Sequence, residues 1–470
     1  MTDEMDAVVE RVRERVEPDD DERARLESVV EELTARAEAA VADLPVEADV
    51  VLAGSTARET WLAGERDVDL FIRLPPDLDR EQLREYGLTV GHAVVDGREE
   101  YAEHPYVVGE LDGFGVDVVP CYALDDATEI RSAVDRTPFH TRYVRDRLDR
   151  ERASDVRVTK QFFTGIGVYG SDLRTRGFSG YLTELLVLEY GGFRELLAAA
   201  ADWHPPVRLD PRDHGTETFD DALVVIDPTD PGRNVAAVLS TTNLARVQHF
   251  ARDLLTDPRE TLFDRPERDP VDDERVRERF ADRGTTPMAL CLTVPNVVDD
   301  QLWPQLRRSL SGIAGELDRR GFDVFRSDAL AQPHESDVER VDSGETDPTE
   351  GRAVVLLFEL AVPERPRVER HEGPPAHVGD HAQSFVESYA GDDAYGPFLE
   401  GNRYVVERER QFTTARAFLE SDALLDVALG AVIERSLAGE SDLLVGAELG
   451  QLAEPFGTQL ARYLDPTIRR

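Results

Sequence analysis

Between Val50 and Ile72 the chain runs VVLAGSTARETWLAGERDVDLFI, and this stretch has few ways to fold. Val50, Val51, Leu52 and Ala53 form an apolar run suited to a buried strand, and Gly54 supplies the permissive backbone of a sharp turn after it. Ser55 is positioned to cap the next element, and the spacing predicts a helix over Thr56 to Ala63 that Gly64 ends. The unpaired N–H groups at the start of such a helix, with Ser55 and Arg58, make a cradle for an anion such as phosphate. In Asp67-Val68-Asp69-Leu70-Phe71 the period is two, so Val68 and Leu70 turn toward a core while Asp67 and Asp69 share the other face. Carboxylates held side by side repel and raise one another's pKa. The pair calls for a cation, and oxygen-ligated Mg²⁺ suits it.

A third acid is expected nearby. The strand Gly115 to Pro120, GVDVVP, presents Asp117 between Val116 and Val118 and is expected to pair beside the first strand. Three strand-borne acids can hold two divalent ions, one activating an attacking hydroxyl and one neutralising the triphosphate of an incoming nucleotide. Gly-Ser, a spacer of about one helix and then Asp-x-Asp resembles the palm of the DNA polymerase beta-like nucleotidyltransferases.

At 470 residues the chain exceeds one ordinary core, and two to four domains are expected. No apolar run approaches the length of a membrane span, and the acidic N-terminus lacks the layout of a signal peptide, so a soluble, cytoplasmic protein is predicted. Cys121 and Cys291 lie far apart and read as small core residues, not as a disulfide or zinc framework. With 54 basic against 96 acidic residues the net charge is −42, and Lys160 is the only lysine. Such a composition fits a salt-loving organism, where concentrated cations screen self-repulsion. It does not exclude nucleic acid, because phosphate contacts can come from local arginine clusters.

Residues 1 to 43 read as helical and are expected to pack on the palm, with Leu78 to Val95 as a further amphipathic helix. Tyr106 to Leu111 and Phe114 to Val119 read as a hairpin turning at Asp112 and Gly113. The palm, or head, therefore spans 1–135, and a helical neck spans 136–256 with helices over Val156 to Tyr169, Gly180 to Ala201 and Asn234 to Leu255. Within it, KQFFTGIGVYG places Lys160 and Tyr169 across a glycine-broken turn. The compact ammonium of Lys160 suits a triphosphate, and Tyr169 can stack on a base. Asp257 to Asp273, rich in Pro and acids, reads as a linker.

RTPFHTRYV, KQFFTGIGVYG, RGFSGYLTELLV and DPTDPGRNVAA, with AGSTARETWLAGERDVDLF and GVDVVPCY, resemble the archaeal, class I CCA-adding enzymes, the tRNA nucleotidyltransferases of archaea. The resemblance runs the length of the chain. It implies addition of C, C and A to the 3′ end of tRNA from CTP and ATP, without a nucleic-acid template. It also implies nucleotide contacts at Ser55 and Arg58, metal ligands at Asp67, Asp69 and Asp117, further ATP contacts at His140, Lys160 and Tyr169, and base selection at Arg233. The first metal carboxylate is Glu in some members and Asp67 here, a change of reach and not of charge.

Beyond the linker, strand Met288 to Val294, helix Asp299 to Arg320, strand Phe322 to Ala331, a polar loop and strand Arg352 to Ala361 suggest a ferredoxin-like or RNA-recognition-like body over 274–395. His371 to His377, with His381, reads as a Pro-Pro turn that the resemblance sets near the tRNA acceptor stem. The tail, 396–470, reads as mainly helical except for a strand at Arg403 to Glu407. Its apolar stretch Leu424 to Leu437 suits either core or a homodimer contact. The expectation is an α+β, multidomain enzyme. An ATP-only poly(A)- or oligoadenylate-forming enzyme is the nearest alternative. A non-catalytic RNA-binding protein with a relic palm is opposed by three intact acids, which a relic has no reason to crowd together.

Overall fold

The computed structural model describes residues 2–101, 104–334, 351–391 and 394–468. The chain opens with α1 (Thr2–Val16) and α2 (Asp20–Ala42), separated where Asp19 and Glu22 form a capping box. The two helices serve different layers. Leu26, Val29, Leu33 and Ala37 of α2 cover the palm sheet, whereas Met5, Val8, Val12 and Val16 of α1 lie in the neck core. The expectation that residues 1 to 43 pack together on the palm is therefore corrected. A head drawn as 1–135 takes α1 from the neck that it completes.

The palm sheet holds β1 (Asp49–Ala53), β2 (Asp67–Leu74), β3 (Gly97–Tyr101), β4 (Pro105–Leu111) and β5 (Phe114–Tyr122) in the order β1-β2-β5-β4-β3. A short helical turn, α3 (Gly54–Ala57), joins β1 to β2, and α4 (Arg80–Val94) follows β2. Asp117 was expected beside the first strand; β5 instead lies against β2, in parallel, because the α4 crossover carries the chain past β2 on the side away from β1. The β4–β5 hairpin turns at Asp112 and Gly113, both at positive φ. Val68, Leu70, Ile72, Val116 and Val118 point into the core beneath α2 and α4. The opposite face carries the acids.

The neck continues with α5 (Thr137–Arg145), α6 (Arg150–Gly165), α7 (Gly180–Tyr190) and α8 (Phe193–Ala201). It is not wholly helical. β6 (Val207–Leu209), β7 (Leu223–Asp227) and β8 (Asp230–Asn234) form a small sheet before α9 (Thr241–Thr256). The helix expected from Asn234 starts later because the Asn234 side chain holds the ends of that sheet, accepting from Val225 N at 2.9 Å and Ala236 N at 3.0 Å. The expected linker is likewise ordered in part: Leu262 and Phe263, in a 3₁₀ turn, are buried in the neck core.

Between Pro266 and Glu267 the chain divides into two compact units. The second contains α10 (Asp273–Arg283), β9 (Thr286–Val294), α11 (Asp299–Arg319), β10 (Val324–Ala331) and β11 (Arg352–Leu360), followed by β12 (Val368–Pro375), α12 (Gly379–Ser388), β13 (Ala394–Glu400) and β14 (Arg403–Glu409). It ends with α13 (Ala415–Leu419), α14 (Ala431–Leu437), β15 (Ser441–Val445) and α15 (Ala453–Leu464). The main sheet is antiparallel in the order β10-β11-β9-β15, the ferredoxin-like arrangement with α11 and α14 as its helices. Its fourth strand comes from the segment expected to be a helical tail, and β12, β14 and β13 form a second sheet inserted before α13. The 395/396 division falls inside β13 and is corrected. His371 sits in β12, stacked on Phe385, and not in a Pro-Pro loop. Leu424, Leu429, Val432, Ile433 and Leu437 are core residues of the second unit. The polar loop expected after Ala331 falls mostly on residues 335–350, outside the described residues. Among the described residues no helix is long and apolar enough to cross a membrane.

Candidate active site

Asp69 and Asp117 are directly paired across β2 and β5, and Asp67 stands one pleat away on the same face, opposite Gly115. Gly54 makes this possible: its φ is +68°, and a Cβ there would fall 1.7 Å from the Asp69 carboxylate, so only glycine lets the turn pass so close. The turn is pinned to β2 by the Thr56 hydroxyl, which donates to the Asp67 carbonyl at 2.7 Å. Burial pushes the Asp117 carboxyl up to about 6, aided by Asp69, Glu100 and Asp67 and opposed by Arg98. Asp69 is raised by burial and by Asp67 and lowered by Arg58.

Among the described residues, Asp67, Asp69 and Asp117 form no hydrogen bond or ion pair through their carboxylates, and no three carboxylate, imidazole or thiol groups are drawn onto one point. An all-oxygen donor set whose mutual repulsion no ion pair answers fits a hard divalent cation. These three acids are the ones that would hold it.

The expected helix over Thr56 to Ala63 stops at Ala57. Its carbonyls are taken by the neck. Arg157 donates to Glu59 O at 2.7 Å and Trp61 O at 3.1 Å, and Lys160 donates to Thr60 O at 2.7 Å, while Glu59 adopts φ +57°. These donors hold Glu59, Thr60 and Trp61 in a turn that the positive φ of Glu59 takes out of the helix. Ser55 therefore lies inside the short turn and caps nothing through its side chain, and among the described residues its hydroxyl has no partner.

Two buried carboxylates organise the remaining expected residues. Glu184, fully buried on α7, pairs with Arg58 Nε at 2.8 Å and accepts from the Thr60 hydroxyl at 2.6 Å; Arg58 also donates to the Thr141 hydroxyl at 3.3 Å. Lys160 completes this cluster; burial drives its pKa down, opposed by Glu184 and Glu65. Its ammonium is enclosed, directed at Thr60 and not at an open phosphate site. Tyr169 is near it, since a Cβ at Gly180 would meet the Tyr169 hydroxyl at 3.3 Å and Lys160 Cε at 3.9 Å. Burial raises the Tyr169 phenol, as do Glu65 and Glu184.

The second carboxylate, Asp227 at the end of β7, gathers His140 and Arg233. His140 Nε2 lies 2.8 Å and Arg233 Nη1 2.7 Å from Oδ2, while the Tyr181 hydroxyl, Thr229 N and the Thr229 hydroxyl all reach Oδ1, at 3.2, 2.9 and 2.8 Å. Burial alone would raise Asp227, but His140, Thr229 and Arg233 hold it well below the usual range. Burial lowers His140, against the pull of Asp227. The His140 ring stacks on Tyr181 at 3.9 Å.

Sequence reasoning missed Glu184 and Asp227, the two acids that assemble the site. A signal existed in each case: Glu184 interrupts the apolar run LTELLVL, and Asp227 closes the apolar run LVVID. An acid inside such a run must be paired when buried.

Three family descriptions match successive parts of the chain: "Nucleotidyltransferase domain" at residues 34–140, "tRNA nucleotidyltransferase, second domain" at 154–264, and "CCA-adding enzyme, C-terminal domain" at 283–339 and 342–446. The CCA-adding enzyme of Haloarcula marismortui is 62% identical over 99% of this chain and 100% of its own length. That of Halobacterium salinarum (strain ATCC 29341 / DSM 671 / R1) is 55% identical over 98% of each, and that of Methanoregula boonei 40% identical over 89% of this chain and 88% of its own.

Proposed function

This chain belongs to the CCA-adding enzymes, which are tRNA nucleotidyltransferases, and we propose that Asp67, Asp69 and Asp117 are its metal-holding acids, with Mg²⁺ as the ion. The observation that carries the proposal is the direct pairing of Asp69 with Asp117 on one sheet face, with neither carboxylate in an ion pair among the described residues. Bound there, Mg²⁺ supplies activation of the terminal 3′ hydroxyl of tRNA and charge neutralisation on the nucleotide triphosphate.

The protein's own groups do the rest. The unpartnered Ser55 hydroxyl is available to a phosphate oxygen beside Asp69. Arg58, fixed by Glu184, keeps a positive field over Asp69 and the approaching phosphates. Lys160 and Arg157 act through the backbone, holding Glu59 to Trp61 so that the turn keeps its shape. This refines the direct triphosphate contact expected for Lys160. Tyr169 offers a ring to the nucleotide, and His140 and Arg233, joined at Asp227, offer polar edges to it. Arg233, whose side chain is one-third exposed, suits the acceptor edge of cytosine and a different subset of groups on adenine.

The acceptor is tRNA, the donors are CTP and ATP, and the setting is the cytoplasm. The test uses tRNA trimmed of its last three nucleotides, with labelled CTP and ATP supplied singly and together. CTP alone should extend it by two nucleotides and both together by three. A long tail from ATP alone would replace this reading with that of an ATP-only nucleotidyltransferase.

A further inference from the structure

We infer that Asp227 is the positioning residue for nucleotide choice, one buried carboxylate that sets both the Arg233 guanidinium and the His140 imidazole. The inference rests on the reading of Arg233 as the base-selecting residue. Asp227 has no exposed side-chain surface, and its oxygens receive five donors drawn from α5, α7, the β7–β8 turn and β8. Those partners divide between its two oxygens. Thr229 and Tyr181 hold Oδ1, which fixes the plane of the carboxylate; Oδ2, so oriented, takes Arg233 Nη1 and His140 Nε2.

The consequence for Arg233 is geometric. One nitrogen of its fork is spent on Asp227, so the guanidinium cannot swing freely, and its remaining donors present a fixed edge. Selection between bases that differ by a donor and an acceptor needs such an edge, because a mobile guanidinium finds partners on any of them. The consequence for His140 is chemical. An ionised carboxylate on Nε2 requires the proton there, which assigns Nδ1 as the nitrogen left for other partners. Stacking on Tyr181, itself bonded to Asp227, holds the ring plane. The two side chains thus share one anchor, and loosening it disturbs both.

The test is single-turnover incorporation of each of the four nucleotides on tRNA ending before the first and before the last added position. It compares the wild type with Asp227→Asn, Arg233→Ala and the double variant. Asp227→Asn should lower discrimination against UTP and GTP by about as much as Arg233→Ala, up to about tenfold. The loss should appear mainly as weaker nucleotide binding, with a smaller change in the rate at saturating nucleotide, a split that general destabilisation does not produce. The double variant should be no less selective than the worse single one, since both act through one fork. If Arg233→Ala relaxes discrimination and Asp227→Asn leaves it intact, the inference is overturned and the role of Arg233 stands. If neither moves it, the base-selection reading falls and the inference with it.

Should Asp227→Asn fail to fold by circular dichroism at high salt, Tyr181→Phe and Thr229→Val replace it. Each removes one hydroxyl from Oδ1 while leaving the Asp227 charge, and Tyr181→Phe keeps the ring that stacks on His140. A two- to threefold fall in discrimination is expected from each, about the lower end for one hydrogen bond. Unchanged ratios in both overturn the inference.

Discussion

The acids of the palm and the acids of the neck differ in burial and in company, Asp67 being exposed and Asp69 and Asp117 half-buried where Asp227 and Glu184 are fully buried. Burial, with Asp69, Glu100 and Asp67 crowding it, pushes Asp117 up to about 6, whereas Asp227 is ringed by donors and held far below the ordinary carboxylate range. Glu184 is of the second kind, with Arg58 and Thr60 around it. Glu359 in the second unit repeats the pattern, paired with Arg283 and bonded to Thr285 and Tyr463. A buried acid whose partners come with the fold stabilises that fold and positions its partners. One that lacks them stores repulsion until a ligand arrives.

The sharpest way to break this comparison is Asp117→Asn. It removes one charge at constant volume, so transfer should fall by orders of magnitude while the thermal unfolding midpoint stays the same or rises. Retention of more than about a tenth of the single-turnover rate removes Asp117 from the metal-holding set.

Glu184→Gln should do the reverse of this on stability. Arg58, whose side chain is 9% exposed, loses the fully buried carboxylate it pairs with, and breaking such a pair costs about 3–5 kcal/mol. Urea unfolding of the full chain in concentrated salt measures it, and an unchanged midpoint would place Glu184 with the dispensable acids. Lys160→Arg is a milder version. The slot is closed around an ammonium, and a guanidinium overfills it at a cost of about 1–3 kcal/mol. Wild-type stability in that variant would mean that the lone lysine is not held by space.

The smallest effect is on pH dependence, read in chelator so that no cation relieves the palm. Asp117 has a folded pKa above its unfolded value, so it binds more protons folded than unfolded between about 3.8 and about 6. Its contribution is complete below the unfolded pKa and lost as pH rises through the folded one. The unfolding midpoint should therefore climb from pH 7 to pH 5 by more in the wild type than in Asp117→Asn. Equal slopes would show that the palm acids are not in conflict.

Salt enters the same comparison from outside. The charge of −42 gives the whole chain the predicament of the palm acids, so screening should aid the fold before it weakens phosphate contacts. Activity should rise with salt to an optimum and then decline, and a maximum at low ionic strength would contradict this.

Much was legible in the residues alone because it is written in short-range pattern. The two-residue period of Asp67 to Phe71 fixed which side chains share a face, and the Asp112–Gly113 turn fixed the hairpin that carries Asp117. The βαβ order of the body announced three of its four strands; the fourth, β15, lies beyond an inserted sheet, where no local rule connects it to β9. Only the tertiary structure decided what became of Thr56 to Ala63. Local spacing favoured a helix, but Arg157 and Lys160, about a hundred residues away, bind the carbonyls of Glu59 and Thr60 in a turn where Glu59 takes a positive φ. The same holds for Glu184 and Asp227. Sequence shows an acid within an apolar run, yet whether it is satisfied depends on partners supplied by other elements, and that balance of desolvation against pairing exists only once the chain has closed around it.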